Sequence, residues 1–134
     1  MAIFIDAGVF CAYANSHDVH HLAAQEILRE IFLGENEKAI TTDYVFDEVV
    51  TVALRKTNKA TALELGEFIM NSEIFLAGVD ATIFRKAWEI FLGKKNFSFT
   101  DCTILAFMNL FGISKVATFD KEFEKVKGIH VIRG

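Results

Sequence analysis

The sequence predicts an α/β domain in which a mostly parallel sheet of five strands is covered by helices on both faces, a three-layer α/β/α arrangement. Short runs rich in Ile, Val and Phe alternate with stretches of helical periodicity, and strands in that order require right-handed crossovers. The length of 134 residues, without proline or a low-complexity segment, matches one core and a single domain spanning 1–134. Acids stand directly after strand ends, which in an open parallel sheet is where ligands bind.

Residues 2–5 are apolar and form the first strand, followed at once by Asp6 and a helix over residues 7–14. Asp18 is the expected cap of a second helix over 19–33, which Gly34 ends. A second strand covers 38–41. Thr42 or Asp43 caps a helix over 44–56, and a fourth helix runs over 59–71. The third strand covers 74–79, and Asp80 opens a helix reaching Leu92, with Ile83, Phe84, Ala87, Trp88 and Phe91 at helical spacing. Residues 93–96 form a loop, and Thr100 is the expected cap of an apolar helix over 101–111. Strands at 115–118 and 129–132 complete the sheet.

A hydrophobic fraction of 52% with 14 Phe is high for a small monomer, so part of the apolar surface is expected to serve an interface, most simply a homodimer. No apolar run approaches the ~20 residues of a membrane span, and the first residues lack the basic region of a signal peptide. Cys11 and Cys102 lie in apolar segments and read as buried thiols. A cytoplasmic location is the expectation.

The net charge of −4 argues against a protein held on nucleic acid by bulk electrostatics. It is unevenly spread: residues 1–67 carry 5 basic and 11 acidic side chains, residues 68–134 carry 9 and 7. An acidic cluster that needs cations, beside a mildly basic half that meets phosphates, has this distribution; a solvated surface has it too.

Four acids are expected at one edge of the sheet. Asp6 follows the first strand, Asp120 lies two residues past Thr118 at the end of the fourth, Asp101 opens the helix before that strand, and Glu48 lies on the helix after the second. At 100° per residue Glu48 stands beside Val45 and Val52 on the apolar face while its neighbour Asp47 points nearly opposite, into solvent. Singly, each acid reads as well as a cap or a solvated residue. Together they make a cluster whose mutual repulsion a divalent cation would relieve. All-oxygen ligands suit Mg²⁺ or Mn²⁺ rather than zinc, and such an ion activates water and polarises a phosphate.

The segments Phe-Ile-Asp6, Thr-Thr-Asp-Tyr-Val-Phe-Asp-Glu48-Val, Phe-Ser-Phe-Thr-Asp101 and Ala-Thr-Phe-Asp120-Lys-Glu-Phe resemble the PIN domain over essentially the whole chain, as in stand-alone VapC-type ribonuclease toxins. The resemblance implies strand order 3-2-1-4-5, one or two Mg²⁺ or Mn²⁺ ions, and metal-dependent endoribonuclease activity on RNA, with an antitoxin protein as a possible partner. It assigns Asp6, Glu48, Asp101 and Asp120 as catalytic metal ligands, Thr118 as a hydroxyl that supports a carboxylate, and Glu122 as an auxiliary acid at the rim. Cys102 stands where the family often has a smaller residue. Members of the family also include nuclease-dead scaffolds, so a PIN-like module that binds RNA or protein is the alternative, and a receiver-like signalling domain is a more distant one.

Arg55, seven residues after Glu48 on its side of the helix, is a candidate phosphate contact or the partner of an acid. His17, His20 and His21 have a spacing that can bind zinc, but without a nearby Cys they read as solvated or capping residues. Phe97 and Phe99 can stack on bases or pack the core, and core packing is the simpler assignment.

Overall fold

A computed structural model describes residues 1–34 and 37–134. The elements run β1 (Ala2–Ile5), α1 (Ala7–Ala14), α2 (His21–Leu33), β2 (Lys38–Thr42), α3 (Asp43–Lys56), α4 (Lys59–Asn71), β3 (Phe75–Ala77), α5 (Ala81–Gly93), α6 (Phe99–Phe111), β4 (Lys115–Ala117), a 3₁₀ turn (Lys121–Lys125) and β5 (His130–Ile132). The strands form one sheet in the order β3-β2-β1-β4-β5. Every pairing is parallel, with Phe4 opposite Ile40 on one side and Val116 on the other. The sheet is thus wholly rather than mostly parallel.

Right-handed crossovers place α1 to α4 on one face and α5 with α6 on the other, and the helices pack mainly in those groups, with α3 also touching α6. β1 lies at the centre, buried on both faces through Phe4 and Ile5. The strand order reverses beside it, where β1 connects outward to β2 and β4 arrives on its far side. That reversal opens a crevice beyond the carboxyl end of β1.

Local chemistry explains the helices that border the crevice. Thr42 Oγ1 accepts the Val45 N–H over 3.3 Å and starts α3, whose Val45, Val49 and Ala53 form the buried stripe at four-residue spacing. α4 packs closely against α3 at Gly66, where a Cβ would come within 3.3 Å of the Phe46 ring. α6 is buried continuously from Cys102 to Met108 and stops at Gly112, whose φ of 67° suits glycine.

Two helix starts differ from the sequence expectation. Asp18 accepts the His20 N–H over 2.8 Å and so closes a turn, leaving α2 to begin at His21 without a side-chain cap. Ser98, not Thr100, caps α6. Its Oγ accepts the Asp101 N–H and the Asp101 Oδ2 accepts the Ser98 N–H, both over 3.1 Å, a reciprocal capping box. The 3₁₀ turn is an additional element, capped by Asp120. Among the described residues no helix is long and apolar enough to cross a membrane, and Cys11 and Cys102 are free thiols.

Candidate active site

Asp6 is the first residue beyond β1. Its N–H still bonds to Ala117 of β4 over 3.0 Å, and its side chain then caps α1 by accepting the Ala7 N–H at Oδ1 over 2.7 Å. The second oxygen, Oδ2, accepts the Thr118 hydroxyl over 2.7 Å. The start of α1 and the residue after β4 therefore fix the two oxygens of a carboxylate that is only 8% exposed.

The Thr118 hydroxyl also accepts the Asp120 N–H over 3.1 Å, so one buried oxygen sets the place of two acids. Asp120 Oδ1 in turn accepts the Glu122 N–H over 2.9 Å. Asp101 is held at the start of α6 by its bond to Ser98. Glu48 is half-buried on α3, and its Oε1 is enclosed without a hydrogen-bond partner. Asp47 is exposed, as the helical wheel requires.

The electrostatics join these side chains. Burial pushes Asp6 up to about 7, and the charges of Asp101 and Glu48 add to the rise against the lowering effect of the Thr118 and Ala7 bonds. Glu48 is raised first by burial and then by Asp101 and Asp47. Asp101 is raised by burial and by Asp120, while its bonds to Ser98 pull it back. The four acids feel one another without forming a closed cage: among the described residues no three His, Cys, Asp or Glu side chains are gathered tightly enough to hold an ion.

The residues nevertheless suit a hard divalent cation. The donors are carboxylate oxygens, one of them enclosed and unpartnered, and a cation is the group that would offset both the burial and the mutual repulsion. Asp6 and Asp101 each keep an oxygen lone pair free of their structural hydrogen bond, since a carboxylate offers several acceptor sites.

A family model for the PIN domain matches residues 3–129. The chain belongs to the PIN domain family. Among PIN-domain relatives it is 30% identical to a VapC ribonuclease of Archaeoglobus fulgidus over 75% of this chain and 66% of that protein. It is 24% identical to the 23S rRNA-specific endonuclease VapC20 of Mycobacterium tuberculosis over 96% of this chain and 97% of the other. The crystal structure of VapC20, described as a sarcin-ricin loop cleaving toxin, superposes with a TM-score of 0.84 at 23% identity, covering 92% and 93% of the two chains. DNA-bound VapBC of Salmonella typhimurium gives a TM-score of 0.70 at 15% identity, over 98% and 96%. These likenesses establish the PIN fold and its strand order, and they remove the receiver-like alternative.

Other expected site residues are exposed or otherwise engaged. Glu122 pairs with Lys125 over 3.1 Å. Arg55 is exposed in the last turn of α3 and forms no ion pair among the described residues. The three histidines do not form a zinc site: the His20 ring stacks on Phe119 with centroids 4.3 Å apart, and His21 Nδ1 lies 2.8 Å from the Ala12 carbonyl. The sequence reasoning overlooked Ser98, which orients Asp101, although Ser-Phe-Thr-Asp has the spacing of a capping box.

Proposed function

We propose that this PIN domain is a Mg²⁺- or Mn²⁺-dependent endoribonuclease and the toxin of a toxin–antitoxin pair, with Asp6, Glu48, Asp101 and Asp120 as its metal ligands. The observation that carries this proposal is Asp6: a buried carboxylate at the end of the central strand, fixed by Thr118 and repelled by Asp101 and Glu48. The names of the relatives, a VapC ribonuclease and a 23S rRNA-specific endonuclease, favour RNA as the substrate.

When bound, a divalent ion polarises the phosphate and lowers the pKa of an attacking water. The chain supplies position. Asp6 and Asp120 are set by the shared Thr118 hydroxyl, Asp101 by Ser98, and Glu48 by the buried stripe of α3. Holding ligands by such outer contacts avoids reorganising them during reaction.

Purified protein incubated with single-stranded and structured RNA should cleave in Mn²⁺ or Mg²⁺ and stop in EDTA. No metal-dependent cleavage, together with no Mn²⁺ binding by calorimetry, would favour the nuclease-dead scaffold.

The proposed homodimer draws on exposed apolar side chains. Leu54, Leu63 and Met70 border a shallow groove between α3 and α4, while Trp88 and Leu92 are exposed on α5. Light scattering at micromolar concentration should give twice the monomer mass; a monomer overturns the dimer. Co-expression with a candidate antitoxin should suppress cleavage, and the VapBC complexes that share this fold motivate that assay.

A further inference from the structure

A small cleft of about 170 Å³ lies beside the acidic edge, lined by Lys94, Lys95, Asn96, Phe97, Glu122 and Lys125 among others. One wall is the loop between α5 and α6, and the other is the 3₁₀ turn Lys121–Lys125. Phe97 is buried and meets the wholly buried Phe123 ring edge-on at 5.0 Å, which anchors the loop to the turn. Each wall leads directly into an acid of the crevice: the loop runs through Ser98 to Asp101, and the turn begins at its cap Asp120.

The charge of this cleft is opposite to that of the crevice. Lys94 and Lys95 are exposed and form no ion pair among the described residues, whereas Lys125 is already paired with Glu122. In a chain of net charge −4, two unpaired ammonium groups beside a carboxylate cluster are placed to offset the repulsion that a polyanion meets there.

We infer that Lys94 and Lys95 form a phosphate-binding subsite, holding the RNA backbone next to the phosphodiester that lies over Asp6, Glu48, Asp101 and Asp120. This rests on the nuclease proposal and adds where the neighbouring backbone is held, at the cleft between the α5–α6 loop and the 3₁₀ turn. Lysine suits the role because it meets phosphate as a mobile point charge and does not require the planar geometry of a bidentate contact. The contact is to backbone, so it raises affinity without selecting sequence.

The test is a salt series of binding titrations in EDTA with a labelled single-stranded RNA and a labelled stem-loop. It compares wild type, the Lys94→Ala/Lys95→Ala variant, and Lys38→Ala, which removes a charge at the opposite edge of the sheet. Each phosphate contact contributes about 0.7 to the slope of log Kd against log salt for a single strand, so the double variant should lose about 1.4. Over a fourfold rise in salt the wild-type Kd should therefore weaken roughly sevenfold more than that of the variant. Lys38→Ala should keep the wild-type slope, and all three proteins should unfold at the same temperature.

An unchanged slope in the double variant of a protein that binds and cleaves RNA overturns the subsite alone. An equal fall in Lys38→Ala overturns it too, by showing bulk electrostatics. Normal slopes and the expected loss, without metal-dependent cleavage, keep the subsite and remove the nuclease. A wild type that binds neither RNA removes both.

Discussion

Thr118 and Asp6, 112 positions apart in the chain, are joined by a hydroxyl–carboxylate hydrogen bond of 2.7 Å across β4 and β1. The same hydroxyl accepts the Asp120 N–H, so this buried group both donates and accepts within the site. Its role is to keep a buried carboxylate nearer to ionisation than burial alone would allow, since that bond lowers the Asp6 pKa.

Thr118→Val should therefore do more than leave a gap. It strands the Asp6 oxygen and the Asp120 N–H, at a cost of about 1–3 kcal/mol for a buried unsatisfied group. Asp6 should also hold its proton more tightly, weakening Mn²⁺ binding at neutral pH by about 10- to 100-fold, the usual effect of losing an outer partner of a ligand. Thr118→Ser should restore both properties. Urea denaturation and Mn²⁺ calorimetry on the three proteins check the pattern, and a Val variant with wild-type Mn²⁺ affinity would refute it.

Asp101 combines a structural bond with a proposed metal role, and substitution separates them. Asp101→Asn retains an oxygen to accept the Ser98 N–H; it loses a charge worth about 0.3–1 kcal/mol near the start of α6 but also escapes burial and the repulsion of Asp120, so the stability change should be small. As a ligand it should matter far more, with RNA cleavage falling by roughly two orders of magnitude or more. Thermal unfolding and Mn²⁺-dependent cleavage on the same preparations make the comparison. Full activity in the folded variant would exclude Asp101 from the metal set.

The pH dependence follows from Asp6. Its ordinary value is 3.8 and the folded chain raises it to about 7. Between those values the native state holds a proton that the unfolded chain has released, so stability falls as pH rises. In EDTA, the Asp6 contribution to the free energy of unfolding should be full below about pH 4 and be lost as pH rises to about 7. In Asp6→Asn this component should vanish, and the difference between the two proteins across urea titrations at several pH values isolates it. At pH 7.5, added Mn²⁺ should stabilise the wild type and have little effect on the variant. Equal pH profiles for the two proteins would remove the buried-proton account.

Much of the candidate site's local geometry was legible because it depends on short-range rules. Asp6 had to lie beyond β1, since it directly follows the apolar strand. Helical geometry alone separated half-buried Glu48 from exposed Asp47. The start of α6 was harder, because Thr100 is itself a good cap and stands just before Asp101, whereas the actual cap depends on Phe99 joining the helix. The 3₁₀ turn was hidden for a different reason. Its five residues are four charged side chains around one Phe, and what holds it is the packing of Phe123 on the distant Phe97, a tertiary contact without a periodic signal. The stacking of His20 on Phe119 was illegible on the same ground.

Glu48 offers the sharpest separation of stability from activity. Its Oε1 is enclosed without a partner, and burial, followed by the charges of Asp101 and Asp47, disfavours its ionised form. Glu48→Gln keeps the length and the packing of α3 against the crevice while removing the charge. In EDTA the variant should consequently be as stable as wild type or more so, because a neutral amide escapes the repulsion from Asp101 and pays less for burial. If Glu48 is a metal ligand, Mn²⁺ affinity and cleavage should both fall sharply, since the amide is a weaker donor and brings no negative charge to the ion. The two effects have opposite signs, which a purely structural residue would not produce: truncating a structural contact lowers stability and activity together. Thermal unfolding in EDTA, Mn²⁺ calorimetry and RNA cleavage read the three quantities. A Gln variant that is less stable than wild type without metal, yet binds Mn²⁺ normally, would place Glu48 in the scaffold and leave Asp6, Asp101 and Asp120 to hold the ion.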